Sequence, residues 1–219
     1  MKHLRFIHDI LNVLYPNVCG MCDALCEEEL CKKCEIKLEN IAKIKIKYHS
    51  HASFGRHLYL FQYEGWIKEK LIAYKFQEKA YIYKSFAKFI LNHKKICDFL
   101  KSYDIIIPVP IHTQRNRERG YNQSELLARK IAENLENLTL VKDALYKKVN
   151  LQPQSGKTKK ERQQDVLGAY QLKNKEKITG KKVLLLDDIY TTGSTVSECC
   201  KVLQQAKVAQ LDVMTIAKD

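Results

Sequence analysis

The segment from residue 183 to residue 195, VLLLDDIYTTGST, constrains the fold most, because an apolar run meets two acids and then a hydroxyl-rich loop. The four apolar residues 183 to 186, with polar stretches before them, predict a buried parallel strand. Asp187 and Asp188 are then expected at the carboxyl end of that strand, where open α/β sheets hold their ligands. Residues 191 to 195 predict a turn that leads into a helix, and the backbone amides of such a turn bind anions.

The combination of two acids and this loop suits a sugar phosphate. Carboxylates accept hydrogen bonds from ribose hydroxyls, whereas amides and hydroxyls donate to phosphate. The segment resembles the ribose-phosphate signature of the type I phosphoribosyltransferases, which bind 5-phosphoribosyl pyrophosphate (PRPP). The resemblance implies that Asp187 and Asp188 hold the sugar and act in catalysis, and that the 5-phosphate is bound by Thr191, Thr192, Gly193, Ser194 and Thr195. An ordinary strand, turn and helix whose acids cap the helix is the alternative.

Two Cys-x-x-Cys pairs lie near the start of the chain, Cys19 with Cys22 and Cys31 with Cys34. Four thiolates can surround a tetrahedral zinc ion and leave no position for water, so the pairs predict a structural zinc site. The segment has few apolar residues, so the metal would supply its folding free energy. Redox-active or simply buried thiols are the alternatives, and Cys26 could replace one ligand.

The formal net charge is +13, and the first 35 residues carry four Lys or Arg against six Asp or Glu, so the basic excess lies in the rest of the chain. Such a balance favours a phosphate-bearing partner, namely nucleic acid, PRPP or an anionic membrane surface. A generally basic proteome or a solvated charged surface is the alternative. We find no apolar run long enough to span a membrane. The first 15 residues predict a short amphipathic helix docked on its own chain, not a signal peptide. Eight cysteines without a signal peptide indicate a reducing, cytoplasmic location.

The middle of the chain predicts a loop, a strand and two helices. A Lys-alternating stretch over residues 36–48 is followed by HASFGRH, which indicates a loop, and residues 58–63 predict a strand. Apolar residues at helical spacing predict helices over 65–76 and 84–100. The many aromatic side chains here predict a core more strongly than a surface that stacks nucleobases.

Residues 104–110, DIIIPVP, predict a second buried strand that ends at two prolines. A basic loop with Arg115, Arg117 and Arg119 follows, and then a helix from about Gln123. After a parallel strand this loop is expected at the same edge of the sheet as the acid pair. The forked guanidinium group suits pyrophosphate, so we assign Arg115 and Arg117 to that group; a solvated charged loop is the alternative.

The segment PVPIHTQRNRERGYNQSELLA, residues 108–128, resembles the PVP-(loop)-RGFNQSELLA segment of the ComF family, in its ComFC branch. That family joins an N-terminal four-cysteine zinc module to a phosphoribosyltransferase-like domain, and this chain has both in that order. The resemblance implies an α/β fold with a type I phosphoribosyltransferase-like parallel sheet flanked by helices. We expect an N-terminal helix and zinc module over residues 1–50, a connecting or hood segment over 51–103, and the phosphoribosyltransferase-like domain over 104–219.

Residues 149–172, VNLQPQSGKTKKERQQDVLGAYQL, correspond to the flexible catalytic loop of phosphoribosyltransferases. A stretch rich in Gly, Lys and Gln between two ordered segments is suited to a mobile lid, and a disordered basic linker is the alternative. The resemblance suggests Lys157 as a pyrophosphate ligand. We expect single-stranded DNA to contact Lys157, Lys159, Lys160 and Arg162.

ComF proteins are associated with natural transformation, in which imported single-stranded DNA crosses the inner membrane. The resemblance therefore implies a cytoplasmic protein that binds PRPP with Mg²⁺, contains structural zinc and binds DNA through basic surface. DNA-uptake proteins at the inner membrane are expected partners. The alternative is an active phosphoribosyltransferase with a nucleobase-like acceptor, and a third hypothesis is that PRPP acts only as a regulatory ligand. No motif identifies an acceptor base, so the sequence leaves the enzymatic activity open.

Overall fold

The computed structural model describes residues 17–50, 52–148 and 166–219. The predicted N-terminal helix and four predicted ligand residues, Lys157, Lys159, Lys160 and Arg162, lie outside this part of the chain. The elements in chain order are α1 (Lys32–Ile41), β1 (Lys45–Tyr48), β2 (Arg56–Gln62), α2 (Gly65–Phe76), α3 (Ile82–Asn92), α4 (Lys94–Leu100), β3 (Ile105–Pro108), α5 (Thr113–Arg119), α6 (Gln123–Ala132), β4 (Thr139–Leu140), β5 (Leu145–Lys147), β6 (Tyr170–Leu172), a 3₁₀ helix (Lys175–Lys177), β7 (Lys182–Tyr190), α7 (Ser194–Gln204) and β8 (Gln210–Lys218).

A six-stranded sheet in the order β1-β2-β8-β7-β3-β4 forms the centre of the molecule. Five neighbouring strands of this sheet run parallel to one another, namely β2, β8, β7, β3 and β4. The edge strand β1 pairs antiparallel with β2. The predicted α/β fold with a mostly parallel sheet is therefore confirmed. The strand β2 comes from the segment 51–103 and pairs with β8, so that segment contributes directly to the central sheet. The three domain bounds stay a prediction.

The strand β7 extends four residues beyond the predicted end. Its pairing with β3 ends at Leu186, opposite Pro108, whereas its pairing with β8 continues to Tyr190. Proline ends the β3 ladder because it has no backbone N–H. The acid pair therefore lies inside β7, where the strand has a neighbour on one side only. This open side faces the crevice at the carboxyl ends of the strands.

Two helical assignments from the sequence are wrong in detail. The predicted basic loop is the helix α5, whose first turn is capped by His112: its Nδ1 accepts a hydrogen bond from the Gln114 amide at 3.2 Å. Gly120 ends α5 in the left-handed conformation, with φ 80°. The predicted helix over 84–100 is two helices, α3 and α4, because His93 is extended between them. Histidine is not among the preferred capping residues, so the sequence pattern did not reveal α5.

The cysteine segment packs directly on α3. The Gly20 amide donates a hydrogen bond to Ser85 Oγ at 2.9 Å, and the same hydroxyl donates to the Glu29 carbonyl oxygen. A Cβ atom at Gly20 would lie 2.9 Å from the Ile82 Cα atom, so only glycine fits this approach. Cys19, Met21, Leu30, Cys34 and Leu38 are buried in one core cluster with residues of α3. Apolar burial thus contributes to the stability of this segment beside any metal.

Among the helices of the described ranges, none combines the length and the apolar character that crossing a bilayer requires.

Candidate functional site

A cavity of about 640 Å³ lies at the carboxyl ends of β3 and β7. The helices α2 and α5, the start of α6 and the antiparallel strands β5 and β6 form the rest of its wall. Its lining includes Tyr63, Lys75, Phe76, Arg115, Arg119, Ser124, Lys147, Tyr170, Asp187, Asp188, Thr191 and Thr195. The structure thus brings the predicted acids, part of the predicted loop and one of the two predicted arginines to one cavity.

Two contacts fix the acid pair. An Asp188 carboxylate oxygen lies 2.9 Å from Lys75 Nζ, and Asp188 is only 7% exposed. Asp187 Oδ1 accepts hydrogen bonds from Ser124 Oγ at 3.2 Å and from the Asp188 amide at 2.9 Å. The Lys75–Asp188 ion pair joins α2 to β7, and the Ser124–Asp187 hydrogen bond joins α6 to β7.

The environment raises the pKa of Asp187 to about 7. Burial is the largest cause and the charge of Asp188 is the second, whereas Lys75 and the two hydrogen bonds act in the opposite direction. Burial lowers the pKa of Lys75, but the carboxylates of Asp188 and Asp187 outweigh this effect, and the net pKa is raised. Lys75 therefore stays charged, while Asp187 exchanges its proton near neutral pH.

The sequence NQS, residues 122–124, holds the walls of the cavity in place. Asn122 Oδ1 accepts a hydrogen bond from the Ser124 amide at 3.1 Å, which caps the start of α6. Asn122 Nδ2 donates to the Val109 carbonyl oxygen at 3.0 Å and so fixes α6 to the end of β3. Ser124 then reaches Asp187 from the first turn of the helix.

Gln123 connects two further walls. Its Nε2 donates to the Tyr74 carbonyl oxygen at 3.1 Å, and its Oε1 accepts from Arg119 Nη1 at 2.6 Å. The hydroxyl of Tyr74 donates back to the Gln123 carbonyl oxygen at 2.8 Å, and the Tyr121 hydroxyl donates to the Tyr74 carbonyl oxygen at 2.6 Å. These bonds hold α2 over the crevice and aim Arg119 into it.

The helical form of α5 decides which arginines reach the cavity. Residues four apart share one face of a helix, and a residue two positions away points elsewhere. Arg115 and Arg119 accordingly line the cavity, whereas Arg117 is exposed and is not part of the lining. The sequence-based interpretation of this segment as a loop assigned Arg115 and Arg117 to pyrophosphate. The structure places Arg115 and Arg119 at the cavity. The Arg119 guanidinium also lies 5.4 Å from the centre of the Phe76 ring.

Lys147 is a cation of the cavity that the sequence reasoning missed. It lies on β5, which pairs antiparallel with β6, opposite Tyr170, and its Nζ lies 5.3 Å from the centre of the Tyr170 ring. Burial lowers the pKa of Lys147, and the charge of Arg115 lowers it further. Lys75 was missed as well. Both lysines lie in segments without a motif, and only the fold brings them to the acids.

The hydroxyl-rich loop makes the turn that the sequence predicts. Thr192 Oγ1 lies 2.7 Å from Ser194 Oγ, and α7 begins at Ser194. Gly193 has φ 75°, and a Cβ atom there would clash with the phenol of Tyr190, so glycine is required on both grounds. Thr191 and Thr195 line the cavity. The start of α7 thus offers hydroxyls and backbone amides to an anion.

The four cysteines of the two Cys-x-x-Cys pairs form a separate cluster. Their sulfur atoms lie within 4.8 Å of one another, and Cys22 Sγ is 3.8 Å from Cys31 Sγ. A tetrahedral zinc ion with Zn–S bonds of ~2.3 Å places its sulfur ligands about 3.8 Å apart, so these residues fit that ion. Cys26 is not part of the cluster, and its thiol donates to the Glu28 carbonyl oxygen at 2.7 Å. The cluster could therefore hold a metal ion such as zinc.

The chain is similar in sequence to a known domain family and to several curated proteins. The model of the phosphoribosyl transferase domain family matches residues 122–219. Competence protein F of Haemophilus influenzae is 32% identical over 150 residues, which cover 66% of this chain and 65% of that protein. Competence protein ComFC of Streptococcus pneumoniae is 30% identical over 206 residues, covering 92% and 87%. The DNA utilization protein YhgH of Escherichia coli is 24% identical over 216 residues, covering 92% and 90%.

The raised pKa of Asp187 predicts a pH dependence of stability. Between its ordinary value of 3.8 and about 7, the folded chain retains a proton that the unfolded chain has lost. The free energy of unfolding should therefore fall as the pH rises through this window, by on the order of 1–3 kcal/mol. In Asp187→Asn this loss is absent, so the variant should gain stability relative to the parent chain as the pH rises. Urea denaturation at several pH values within the window measures the difference.

Asp143→Asn is the matched control. A hydrogen bond from Lys177 lowers the pKa of Asp143, so its stabilising contribution is already complete above the ordinary pKa and is lost only on further acidification. The stability difference for this variant should stay level over the same window. If the stability difference between Asp187→Asn and the parent chain also stays constant over this pH window, Asp187 is ionised in the folded chain over the whole window.

Proposed function

The chain belongs to the ComF family of competence proteins, and from that membership we propose that it binds PRPP and assists the passage of imported single-stranded DNA into the cytoplasm. The proposal includes structural zinc in the cysteine cluster and a cytoplasmic location at the inner face of the inner membrane, near DNA-uptake proteins. The relatives named for competence and for DNA utilization support this role.

The observation that carries PRPP binding is the shared cavity of acids, hydroxyls and cations. Asp187 and Asp188 would hold the ribose hydroxyls, and the loop over residues 191–195 would hold the 5-phosphate. Arg115 and Lys147, with Arg119, would hold the pyrophosphate. Mg²⁺ prefers phosphate oxygens and carboxylates, so it would accompany the ligand.

The cationic side chains of the cavity suit a polyanion. Lys75 neutralises Asp188, and Asp187 is partly protonated near neutral pH because of its raised pKa. Arg115, Arg119 and Lys147 also line the cavity, together with the acids Glu78 and Glu118. A compact site with three cations attracts the pyrophosphate and phosphate groups of PRPP. Lys157 stays a predicted further ligand from the segment outside the described residues.

Arg115 and Arg117 provide a sharp test of PRPP binding. Arg115→Met removes a guanidinium of the cavity and should weaken PRPP binding about tenfold or more, since a hydrogen bond to a charged group is lost. Arg117→Met removes the same charge from the exposed side of α5 and should leave the affinity unchanged. Calorimetric titration with PRPP and Mg²⁺ measures both. Ribose 5-phosphate, which lacks pyrophosphate, should bind both variants equally. Equal weakening by both substitutions would assign the effect to long-range charge.

Single-stranded DNA binding should depend strongly on salt. A protein that neutralises several backbone phosphates releases counterions, so its affinity falls steeply as the ionic strength rises. Replacing Lys157, Lys159, Lys160 and Arg162 together by Gln should weaken binding of a labelled oligonucleotide and reduce the salt slope by about 2–4. Fluorescence anisotropy at several salt concentrations measures both quantities.

The control variant for DNA binding removes four exposed lysines elsewhere, namely Lys175, Lys181, Lys182 and Lys201. This variant removes the same number of positive charges from the 3₁₀ helix, the start of β7 and α7. An equal loss of affinity in both variants would indicate binding by net charge alone, and would overturn the assignment of the DNA contact to residues 157–162.

Zinc in the cysteine cluster predicts about one zinc ion per chain in the purified protein. Cys31→Ser should lose the ion and lower the melting temperature, because metal binding contributes folding free energy. Cys26→Ser is the matched control, since Cys26 is outside the cluster and serine retains its hydrogen bond to Glu28. Elemental analysis and thermal denaturation measure both. A chain that is fully folded without metal would refute the site.

One observation favours the alternative, an active phosphoribosyltransferase. Phe76 lines the cavity beside Lys75 although it is 70% exposed, and Tyr63 lies on the same wall. Such an aromatic wall next to the sugar acids suits a planar, nucleobase-like acceptor. Phe76→Ala should then raise the KM of the acceptor more than it lowers kcat. The test is pyrophosphate release from PRPP in the presence of single nucleobases.

Asp187→Asn combined with Asp188→Asn should abolish that release. Tight PRPP binding with no turnover on any nucleobase would exclude this alternative and favour PRPP as a regulatory ligand. A change in DNA affinity on adding PRPP would then identify that third role.

A further inference from the structure

A second cationic cluster lies on the other half of the central sheet, away from the cavity. Lys47 comes from β1, His57 from β2 and Lys218 from the end of β8, while His49 follows β1 directly. None of these four residues lines the cavity. No motif of the sequence includes them, and the proposed function does not use them.

Three of the four side chains lie around the Tyr59 ring, and His49 lies beside His57. The Nζ atoms of Lys47 and Lys218 each lie 5.9 Å from the centre of the Tyr59 ring. The His57 ring lies 5.6 Å from Tyr59 and 6.3 Å from His49, measured between ring centres. Two ammonium groups and two imidazoles therefore share one small region of the sheet.

Both histidines leave a buried ring nitrogen without a hydrogen bond. His57 is fully buried, and its Nε2 lies 2.8 Å from Thr215 Oγ1. Within the described residues, His57 Nδ1 and His49 Nε2 have no hydrogen-bond partner. When the Thr215 hydroxyl donates to Nε2 of His57, the ring proton lies on Nδ1, which then becomes an unsatisfied donor. Buried polar atoms are rarely unpaired, so a missing partner calls for explanation.

The charges in this region are unbalanced. The pKa of His57 is lowered to about 3, mainly by burial and in addition by His49, Lys218 and Lys47. Burial lowers the pKa of Lys218 as well, and Lys47 adds to the effect, although Asp219 acts against it. Lys218 Nζ donates to the Asp219 carbonyl oxygen at 3.1 Å.

We propose that Lys47, Lys218, His49 and His57 form a second phosphate-binding site, separate from the sugar-phosphate cavity. The ammonium groups supply the charge, and the unpaired imidazole nitrogens supply directed donors. The phosphate group comes either from free inorganic phosphate or from a nucleic-acid backbone. The proposal does not depend on PRPP binding, because the two sites share no residue.

A direct contact links this site to the phosphate loop of the cavity. The His57 ring lies 4.5 Å from the Tyr190 ring, between ring centres. The Tyr190 phenol in turn occupies the space beside Gly193 that a Cβ atom would need. An anion that repositions His57 therefore acts on the residue that supports the loop over 191–195.

The test is an NMR titration of the full chain with inorganic phosphate, observed at the histidine rings. We expect saturable shifts of the His49 and His57 signals. Lys47→Met with Lys218→Met should weaken the binding about tenfold or more, because charge-assisted contacts are lost. Lys182→Met, an exposed lysine at the other end of β7, should leave it unchanged. Amide spectra of each variant confirm that the chain is folded.

A second arm replaces phosphate by a short single-stranded oligonucleotide without a terminal phosphate. Shifts of the same histidine signals would identify the backbone as the phosphate source. Shifts with inorganic phosphate alone would identify the free anion. Absence of histidine shifts with either ligand, or equal affinity in the double-lysine variant and the parent chain, would overturn the proposal.

Discussion

The ion pair between Lys75 and Asp188 is the contact on which the candidate site depends. It joins α2, which covers the crevice, to the central strand β7. Desolvating two charges is costly, and removing one partner leaves the other buried without compensation. Burial has the largest effect on the pKa of Asp187 and raises it; the charge of Asp188 adds to the rise, and Lys75 acts against it. The ion pair therefore holds the covering helix, and both of its members influence the charge state of Asp187.

The hydrogen bonds of residues 122–124 complement this ion pair. They attach the start of α6 to the end of β3, to α2 and to Asp187. The catalytic or binding groups come from segments far apart in the chain, and each is held by a contact to a neighbouring segment. This is how a parallel sheet usually builds a ligand site: the strands supply rigid ends, and the connections supply the chemistry.

Sequence patterns pointed to those parts of the candidate site whose residues are consecutive or regularly spaced in the chain. Asp187, Asp188 and the loop after them form one segment, and the cysteine pairs have the spacing of a metal site, so local patterns sufficed. Lys75 and Lys147 could not be found this way, because nothing in their own segments distinguishes them from surface lysines. The predicted basic loop held Arg115, Arg117 and Arg119 alike, because the capping of α5 by His112 has no sequence signature. The direction of each arginine side chain follows from its position around the helix, and a segment interpreted as a loop offers no such information.

The central claim is that the chain holds PRPP in the cavity between β3 and β7. A crystal structure of the chain with PRPP and Mg²⁺ tests it most directly. We expect ribose hydroxyls at Asp187, the 5-phosphate on the loop over residues 191–195, and pyrophosphate against Arg115 and Lys147. PRPP bound outside this cavity, or pyrophosphate held by Arg117 in place of Arg115, would overturn PRPP binding at this site.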